Sequence, residues 1–369
     1  MSVFSTRIAA LKAALKEAGL DAAAINPGGT FTWATGGSFA LMERPTVLFL
    51  AAEGPDLAVL PHLEAESWAH LGAGAEPIFW KDEEGFDAAF AEAARRLPAR
   101  RIGVEPVRLR FLETRALERA FPGAELVSMA DSLADLRSVK DAEEIAALAD
   151  SVAYSEAAFA RTIAQIRPGM TELAVQRLLM TEMLATPGAG DLVAPLVLTG
   201  PKSALPHGHT DETEIRSGDP LLFDFAVRAR GYTCDITRTI FVGHASDAHR
   251  AFYAEVERVS DLALDLAAPG MSASDFDDRV RGALEAGPFG QWALHKTGHG
   301  IGLDVHEAPQ LMRGNPEMLR PGNVLAIEPG LYRPGDIGVR IEDNVVLTEG
   351  GNRRLTQSSR ALTIVAEGA

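Results

Sequence analysis

"DPLLFDFAVRARGYTCDITRTIFVG", residues 219–243, reads as two β-rich runs folded back on each other around a turn region that ends in Gly231. Asp224 lies inside the first run, among Leu222, Phe223 and Phe225, and Asp235 lies inside the second. A two-residue loop at Ala229 and Arg230 puts Asp224 directly opposite Asp235, although Ala-Arg is not the usual pair for such a turn. Opposed Cβ atoms in a ladder are about 4.5–5.5 Å apart. Two carboxylates facing each other in apolar strands repel, and their burial is costly unless a cation sits between them. A lone Asp in a strand is more often an edge or turn-proximal residue, so the pairing needs support from elsewhere in the chain.

That support comes from "AIEPGLYRPGDIGVRIEDN", residues 326–344. Pro334-Gly335-Asp336 is a strong turn signal. A hairpin centred on Gly335 makes Glu328 face Glu342. Arg340 stands two residues before Glu342, on the same strand face, where it can orient carboxylates; Thr237 stands two after Asp235. Cys234 alternates to the other face and reads as a core thiol.

A third stretch, "HKTGHGIGLDVHEAP" at 295–309, holds His295, His299 and His306. His295 and His299 are four apart, but the intervening residues lack the glutamate of a zinc-protease helix. Gly298, Gly300 and Gly302 argue for strand or loop. Two carboxylate pairs and one imidazole make five ligands. Such an oxygen-rich set suits divalent Mn, Co or Zn better than a thiolate site would.

The chain has 369 residues, 47% of them hydrophobic and 23% charged, which fits two soluble domains. A formal charge of −16 argues against nucleic acid and against an anionic membrane surface. The single cysteine permits no intrachain disulfide, and no run of about 18 apolar residues occurs. Lys12, Lys16 and Glu17 interrupt the N-terminal apolar pattern where a signal peptide would be uninterrupted, so a cytoplasmic protein is the expectation. The first 137 residues alternate helix and strand signals, an α/β pattern. Near residue 138 a long helix begins, with Ser138 as expected cap and Asp141, Glu143 and Glu144 in its first turn. Thr171 is the expected cap of a second helix, and two more helices are expected near 247–267 and 272–286.

In "LPHGHTD", "LLFDFAVRARGYTCDITRTIFVG", "HKTGHGIGLDVHEAP", "LAIEPGLY" and "VRIEDNVVLT", the chain resembles the creatinase/methionine-aminopeptidase ("pita-bread") superfamily. Within it, the Xaa-Pro peptidases of family M24 are the nearest likeness. The resemblance covers residues 138–369 well, and residues 1–137 look like the family's more variable N-terminal domain. It implies an α/β (α+β) architecture: a creatinase-like domain at 1–137, then a pita-bread catalytic domain at 138–369. It implies a dinuclear centre, Mn favoured over Co or Zn, held by Asp224, Asp235, His299, Glu328 and Glu342, with Asp235 and Glu342 bridging. It implies that Glu328 shuttles a proton, that His306 donates to the developing oxyanion, and that His207 lines the substrate pocket, with Arg340 counted in the catalytic group. His295 and Tyr332 are further pocket candidates, as are Trp33 and Phe39, while His209 reads as a loop histidine. The implied partner is a small peptide with proline after the scissile bond, and the implied assembly a homodimer whose neighbouring N-terminal domain partly closes the pocket.

One departure stands out. Many prolidase-like members carry arginine directly after "HEAP", where it can serve a substrate's terminal carboxylate; here Gln310 stands there. Either an arginine elsewhere does that work or longer peptides are accepted. Compact linkers in the second domain leave a dipeptidase (prolidase) slightly ahead of an aminopeptidase P. A creatinase-like, metal-free hydrolase would not be expected to keep all five ligand positions. A catalytically dead protein-binding module would be expected to lose ligands or gain tails, and neither is visible.

Overall fold

In the first stretch of chain, helices and short apolar strands alternate because apolar residues recur at helical spacing, then in runs of four or five. The helices are α1 (Val3–Glu17), α2 (Gly29–Thr35), α3 (Ala65–Leu71), α4 (Asp87–Arg96), α5 (Phe111–Ala120) and α6 (Ala130–Ser138). The strands are β1 (Ala22–Ile25), β2 (Val47–Ala51), β3 (Leu57–Pro61), β4 (Glu76–Trp80), β5 (Arg101–Val104) and β6 (Glu125–Ser128). They form one mixed sheet in the order β4-β3-β2-β1-β5-β6. Its central strands are buried along their whole length, as in a sheet covered on both faces. The computed structural model describes residues 3–365 and divides the chain into two units, Met1–Arg137 and Ser138–Ala369.

The second unit opens with α7 (Ala142–Ile163) and α8 (Glu172–Leu184), which pack on β7 (Leu192–Thr199) and β8 (Pro220–Ala229). A short β9 (Tyr232–Thr233) and β10 (Ile236–Val242) follow, then α9 (Asp247–Leu266) and α10 (Ala273–Glu285). The remaining strands are β11 (Gly298–Gly300), β12 (Glu307–Leu311), β13 (Val324–Ile327), β14 (Gly330–Arg333), β15 (Ile337–Arg340), β16 (Asp343–Thr348), β17 (Gly351–Arg354) and β18 (Thr363–Val365). One sheet runs β18-β10-β8-β7, with β9 on β8; another runs β12-β11-β13-β16-β17; β14 and β15 pair as a ribbon. Phe252, Val256 and Phe276 from α9 and α10 share a core with Leu325, Ile327, Leu331 and Val339 from the strands.

Ser138 does not cap α7. It ends α6, and Val139 and Lys140 run extended, tied to Asn323 and Gly322. The cap is Asp141, whose side chain accepts the Glu143 and Glu144 amides at 2.9 Å, while Glu144 returns a bond to the Asp141 N–H. An extended pair immediately upstream leaves this capping box as the only entry to the helix. Thr171 caps α8 as expected.

The hairpin at 219–243 differs from expectation in register. Its turn is Arg230-Gly231, both with positive φ (50° and 85°), and Ala229 pairs with Tyr232. A two-residue hairpin turn of this kind wants left-handed backbone at both centres, which glycine adopts freely, so the turn slides one residue toward Gly231. Asp224 therefore pairs with Thr237, and Asp235 lies diagonal to it on the same face. The hairpin at 326–344 has the expected register. Gly330 pairs with Arg340 and Ile327 with Asp343, so the ladder continues on both sides of Glu328 and Glu342.

Candidate metal centre

Five side chains from three strand pairs converge on one wall of the second unit. Asp224 comes from β8, Asp235 from the gap between β9 and β10, and His299 from β11. Glu328 follows β13 and Glu342 precedes β16. Their donor atoms fall into overlapping groups with all members within 4.8 Å of one another. His299, Glu328 and Glu342 make one; Asp224, Asp235 and Glu342 make another. Glu342 belongs to both. A third group joins Asp235, His299 and His306.

The backbone explains why Asp235 reaches its neighbours. The β8 ladder is interrupted opposite Cys234 and Asp235. Two serines of α7 fill the gap: Ser151 Oγ accepts the Cys234 N–H at 2.7 Å, and Ser155 Oγ accepts the Val227 N–H at 2.9 Å. Asp235 is instead claimed by β16. Its N–H donates to Asn344 Oδ1 at 3.2 Å and its carbonyl accepts from Asn344 Nδ2. This draws one edge of the first hairpin onto the strand that begins just after Glu342.

His299 is oriented by its own loop. Nδ1 donates to the Gly300 carbonyl at 3.0 Å, which can only accept, so the neutral ring presents Nε2 unprotonated. Nε2 lies 3.8 Å from both an Asp235 and a Glu328 carboxylate oxygen. Burial holds its pKa down at about 3, so it stays a neutral donor. Asp277 on α10 anchors the strand below, accepting the Thr297 N–H at 2.7 Å and the Arg313 N–H at 3.0 Å.

Arg340 braces the cluster from behind. It donates to Asp224, to Thr237 Oγ1 at 2.8 Å and to Tyr332 Oη at 3.1 Å. Thr237 in turn donates to Glu342 at 2.7 Å. Arg340 is 4% exposed, and all three bonds go to protein atoms. Tyr332 is fully buried behind the wall and does not line the cavity, contrary to the pocket role expected of it. His295 Nδ1 donates to the Lys296 carbonyl at 2.7 Å, which leaves Nε2 to accept from Tyr332 Oη at 2.8 Å. Burial takes its pKa down to about 4.

The donors fit divalent cations. Four carboxylates crowd together with one buried guanidinium among them, and burial followed by mutual repulsion pushes Asp235 and Glu342 well above the usual carboxylate range. Glu328 is raised to about 7, again mainly by burial. Protonation or bound cations can relieve such crowding, and the unprotonated Nε2 of His299 aimed among the carboxylates favours cations.

The cluster faces a cavity of about 750 Å³. His207, His295 and His306 line it, and so do residues the sequence had not marked for it, among them His209, Lys296 and Leu294. The rings of His299 and His306 meet edge-on at 4.4 Å. Trp33 and Phe39 belong to the first unit, where Trp33 lies under the Arg7 guanidinium and Phe39 packs on Phe31.

Comparison with known proteins gives a consistent neighbourhood. The model of metallopeptidase family M24 matches residues 146–349, and that of the creatinase/prolidase N-terminal domain matches residues 7–139. An uncharacterized peptidase of Bacillus subtilis, YqhT, is 35% identical over 74% of this chain and 78% of its own. The crystal structure of a prolidase from Thermococcus sibiricus superposes with a TM-score of 0.92 at 30% identity, covering 99% of each chain. An X-Pro aminopeptidase from Thermotoga maritima does so at 0.84 and 28%, covering 97% of this chain and 99% of that one.

Proposed function

This chain belongs to metallopeptidase family M24, and from that premise we propose that it hydrolyses Xaa-Pro peptide bonds, dipeptides foremost, at a dinuclear centre. The observation that carries the reading is the pair of ligand groups sharing Glu342 on the cavity wall. Asp224, Asp235, His299, Glu328 and Glu342 would hold the ions in this proposal, Asp235 and Glu342 each belonging to two of the donor groups. Four carboxylates, one imidazole and no thiolate favour Mn, with Co or Zn as alternatives. When bound, two divalent ions supply Lewis acidity that lowers the pKa of water and polarises a carbonyl, a general property of two-ion hydrolytic sites, aminopeptidases included.

The chain's own groups divide the remaining work. Glu328, its carboxylate beside His299 on the cavity wall, is placed to accept a proton from water and return it to the leaving nitrogen. His306 is held below its ordinary pKa by partial burial, so at neutral pH it is an uncharged N–H donor at the cavity wall. A donor waiting there stabilises the carbonyl oxygen as negative charge develops on it. His207, which lines the cavity, contacts substrate in this reading. Arg340 is a positioning residue in this reading, since its hydrogen bonds go to Asp224, Thr237 and Tyr332. All five ligands lie in residues 138–369, the proposed catalytic domain; residues 1–137 are the proposed N-terminal domain.

Hydrolysis of Ala-Pro, Ala-Pro-Ala and Ala-Ala by Mn-loaded protein, with a chelator control, tests the reading. Cleavage of Ala-Pro alone supports the dipeptidase. Cleavage of the tripeptide supports a second reading, an aminopeptidase, which the likeness to the Thermotoga enzyme favours. No cleavage and no bound metal would leave a binding module. A homodimer in the cytoplasm completes the proposal. Cys234 is a buried free thiol, and no helix among the described residues is long and apolar enough to cross a membrane.

A further inference from the structure

Two cations line the cavity, Arg340 and Lys296. Arg340 is committed to Asp224, Thr237 and Tyr332. Lys296 is not committed in this way. Among the described residues its ammonium makes one hydrogen bond, to the neutral Oε1 of Gln310, and has no carboxylate within ion-pair distance. Gln310 is fixed for this: its Nε2 donates to the Glu307 carbonyl at 2.7 Å, so Oε1 is the end that Lys296 meets. Gln310 also pairs with His299 across the β11–β12 ladder, and Lys296 lies three residues before His299. The amine is thereby tied to the wall that carries the ligand cluster.

An ammonium has three donors, and a partly buried one with a single neutral acceptor can take an anion as a further partner. A peptide whose scissile carbonyl lies at the ligand cluster brings a carboxylate into this cavity. In a dipeptide that carboxylate belongs to the residue immediately after the scissile bond; in a longer peptide it is carried one or more residues away, about 3.3–3.6 Å each. Asp224, Asp235, Glu328 and Glu342 are taken up by the ions in that reading, and Lys296 is the uncommitted cation on the wall able to pair with the incoming carboxylate.

We propose that Lys296, steadied by Gln310, receives the free C-terminal carboxylate of the substrate and so selects dipeptide acids over amides and longer chains. This rests on the peptidase reading, and the test separates the two. Calorimetry on Mn-loaded protein uses a non-hydrolysable Ala-Pro analogue, with the scissile carbonyl reduced to methylene, as the free acid and as the C-terminal amide. Wild type should bind the acid about 10-fold to 100-fold tighter, the range of a charge-assisted hydrogen bond. Lys296→Met should remove that preference while leaving amide binding and metal content unchanged, and Lys296→Arg should restore part of it. Equal binding of acid and amide by wild type overturns the assignment, as does Lys296→Met weakening both alike. Turnover of Ala-Pro is measured separately: acid preference without turnover would sink the peptidase reading and keep Lys296, and turnover without acid preference would do the reverse.

Discussion

Asn344 holds both backbone polar groups of Asp235, accepting its N–H at 3.2 Å and donating to its carbonyl. The two residues lie in different sheets, and the bond pair stands where a strand partner would otherwise be. It converts a break in one ladder into a fixed position for a carboxylate beside Glu342. Asn344 is fully buried, so no water replaces it.

Replacing Asn344 with Val should therefore damage both stability and metal binding. Two buried backbone groups lose their partner, each worth about 1–3 kcal/mol. Urea denaturation should show a loss of about 2–6 kcal/mol for the two groups together, and Mn titration a weaker site. Wild-type affinity in a folded Asn344→Val protein would mean that Asp235 is held by something else.

Glu328→Gln keeps the shape of the side chain and removes its ability to carry a proton. Turnover of Ala-Pro should fall by about 100-fold or more, the usual scale of a general acid–base contribution. Metal analysis of the same sample separates this from loss of an ion. Wild-type turnover at full metal content would end the proton-carrying role.

His306→Ala removes a donor without removing a member of either Glu342-containing group. The expected result is a fall in kcat of about 10²–10³ with metal content nearly unchanged. A protein that loses its metal yet retains kcat on reloading would make His306 a ligand instead.

The metal-free protein should lose stability as pH rises above 6.5. Glu328 is raised by burial to about 7, and burial also raises Asp235 and Glu342 well above the ordinary carboxylate value, while each titrates near that value when unfolded. The folded state then binds more protons than the unfolded one, so stability falls with pH until the folded values are passed. His295 and His299 slope the opposite way, but only below about 6.5, where the unfolded rings gain protons. Above that pH the imidazoles no longer contribute, and the raised carboxylates set the decline until they ionise in the folded state. Denaturation in chelator at pH 6.5 and 8 should show the decline, and Mn should abolish it. Rising stability in chelator would contradict the crowding of carboxylates.

Much of this centre was legible in the sequence, and the reasons are local. Pro334-Gly335-Asp336 is strong enough turn chemistry to fix the register that opposes Glu328 and Glu342. The other hairpin was misplaced at its turn, yet Asp224 and Asp235 kept a common face, because moving a two-residue turn by one position shifts the pairing by two and preserves alternation. Ser138 reads as the cap in the sequence because the extended Val139-Lys140 pair that displaces it depends on Asn323 and Gly322, far along the chain. Distance in sequence also hid Asn344, Ser151 and Ser155. Each is an ordinary polar residue until a broken ladder gives it a backbone to hold. Tyr332 looked like a pocket aromatic because sequence shows its ring and not the His295 and Arg340 that enclose its hydroxyl.

That enclosed hydroxyl leads to the last prediction, which separates charge from shape at Arg340. The guanidinium bonds Asp224, Thr237 and Tyr332 at once, and it also lies 4.0 Å from Glu328 and 3.9 Å from Glu342. If only its charge mattered, Arg340→Lys would preserve the centre. An ammonium on a flexible stem cannot satisfy three partners in the planar directions of the fork, and Thr237 would lose the donor that sets its own bond to Glu342. Arg340→Lys should therefore resemble Arg340→Met in kcat for Ala-Pro, both well below wild type, while retaining more stability. Met also loses the charged hydrogen bond to Asp224, whose side chain is 34% exposed, at a cost of about 1.5–3 kcal/mol. Wild-type kcat in Arg340→Lys would show that neutralising Asp224 is sufficient and that the route through Thr237 to Glu342 is not required.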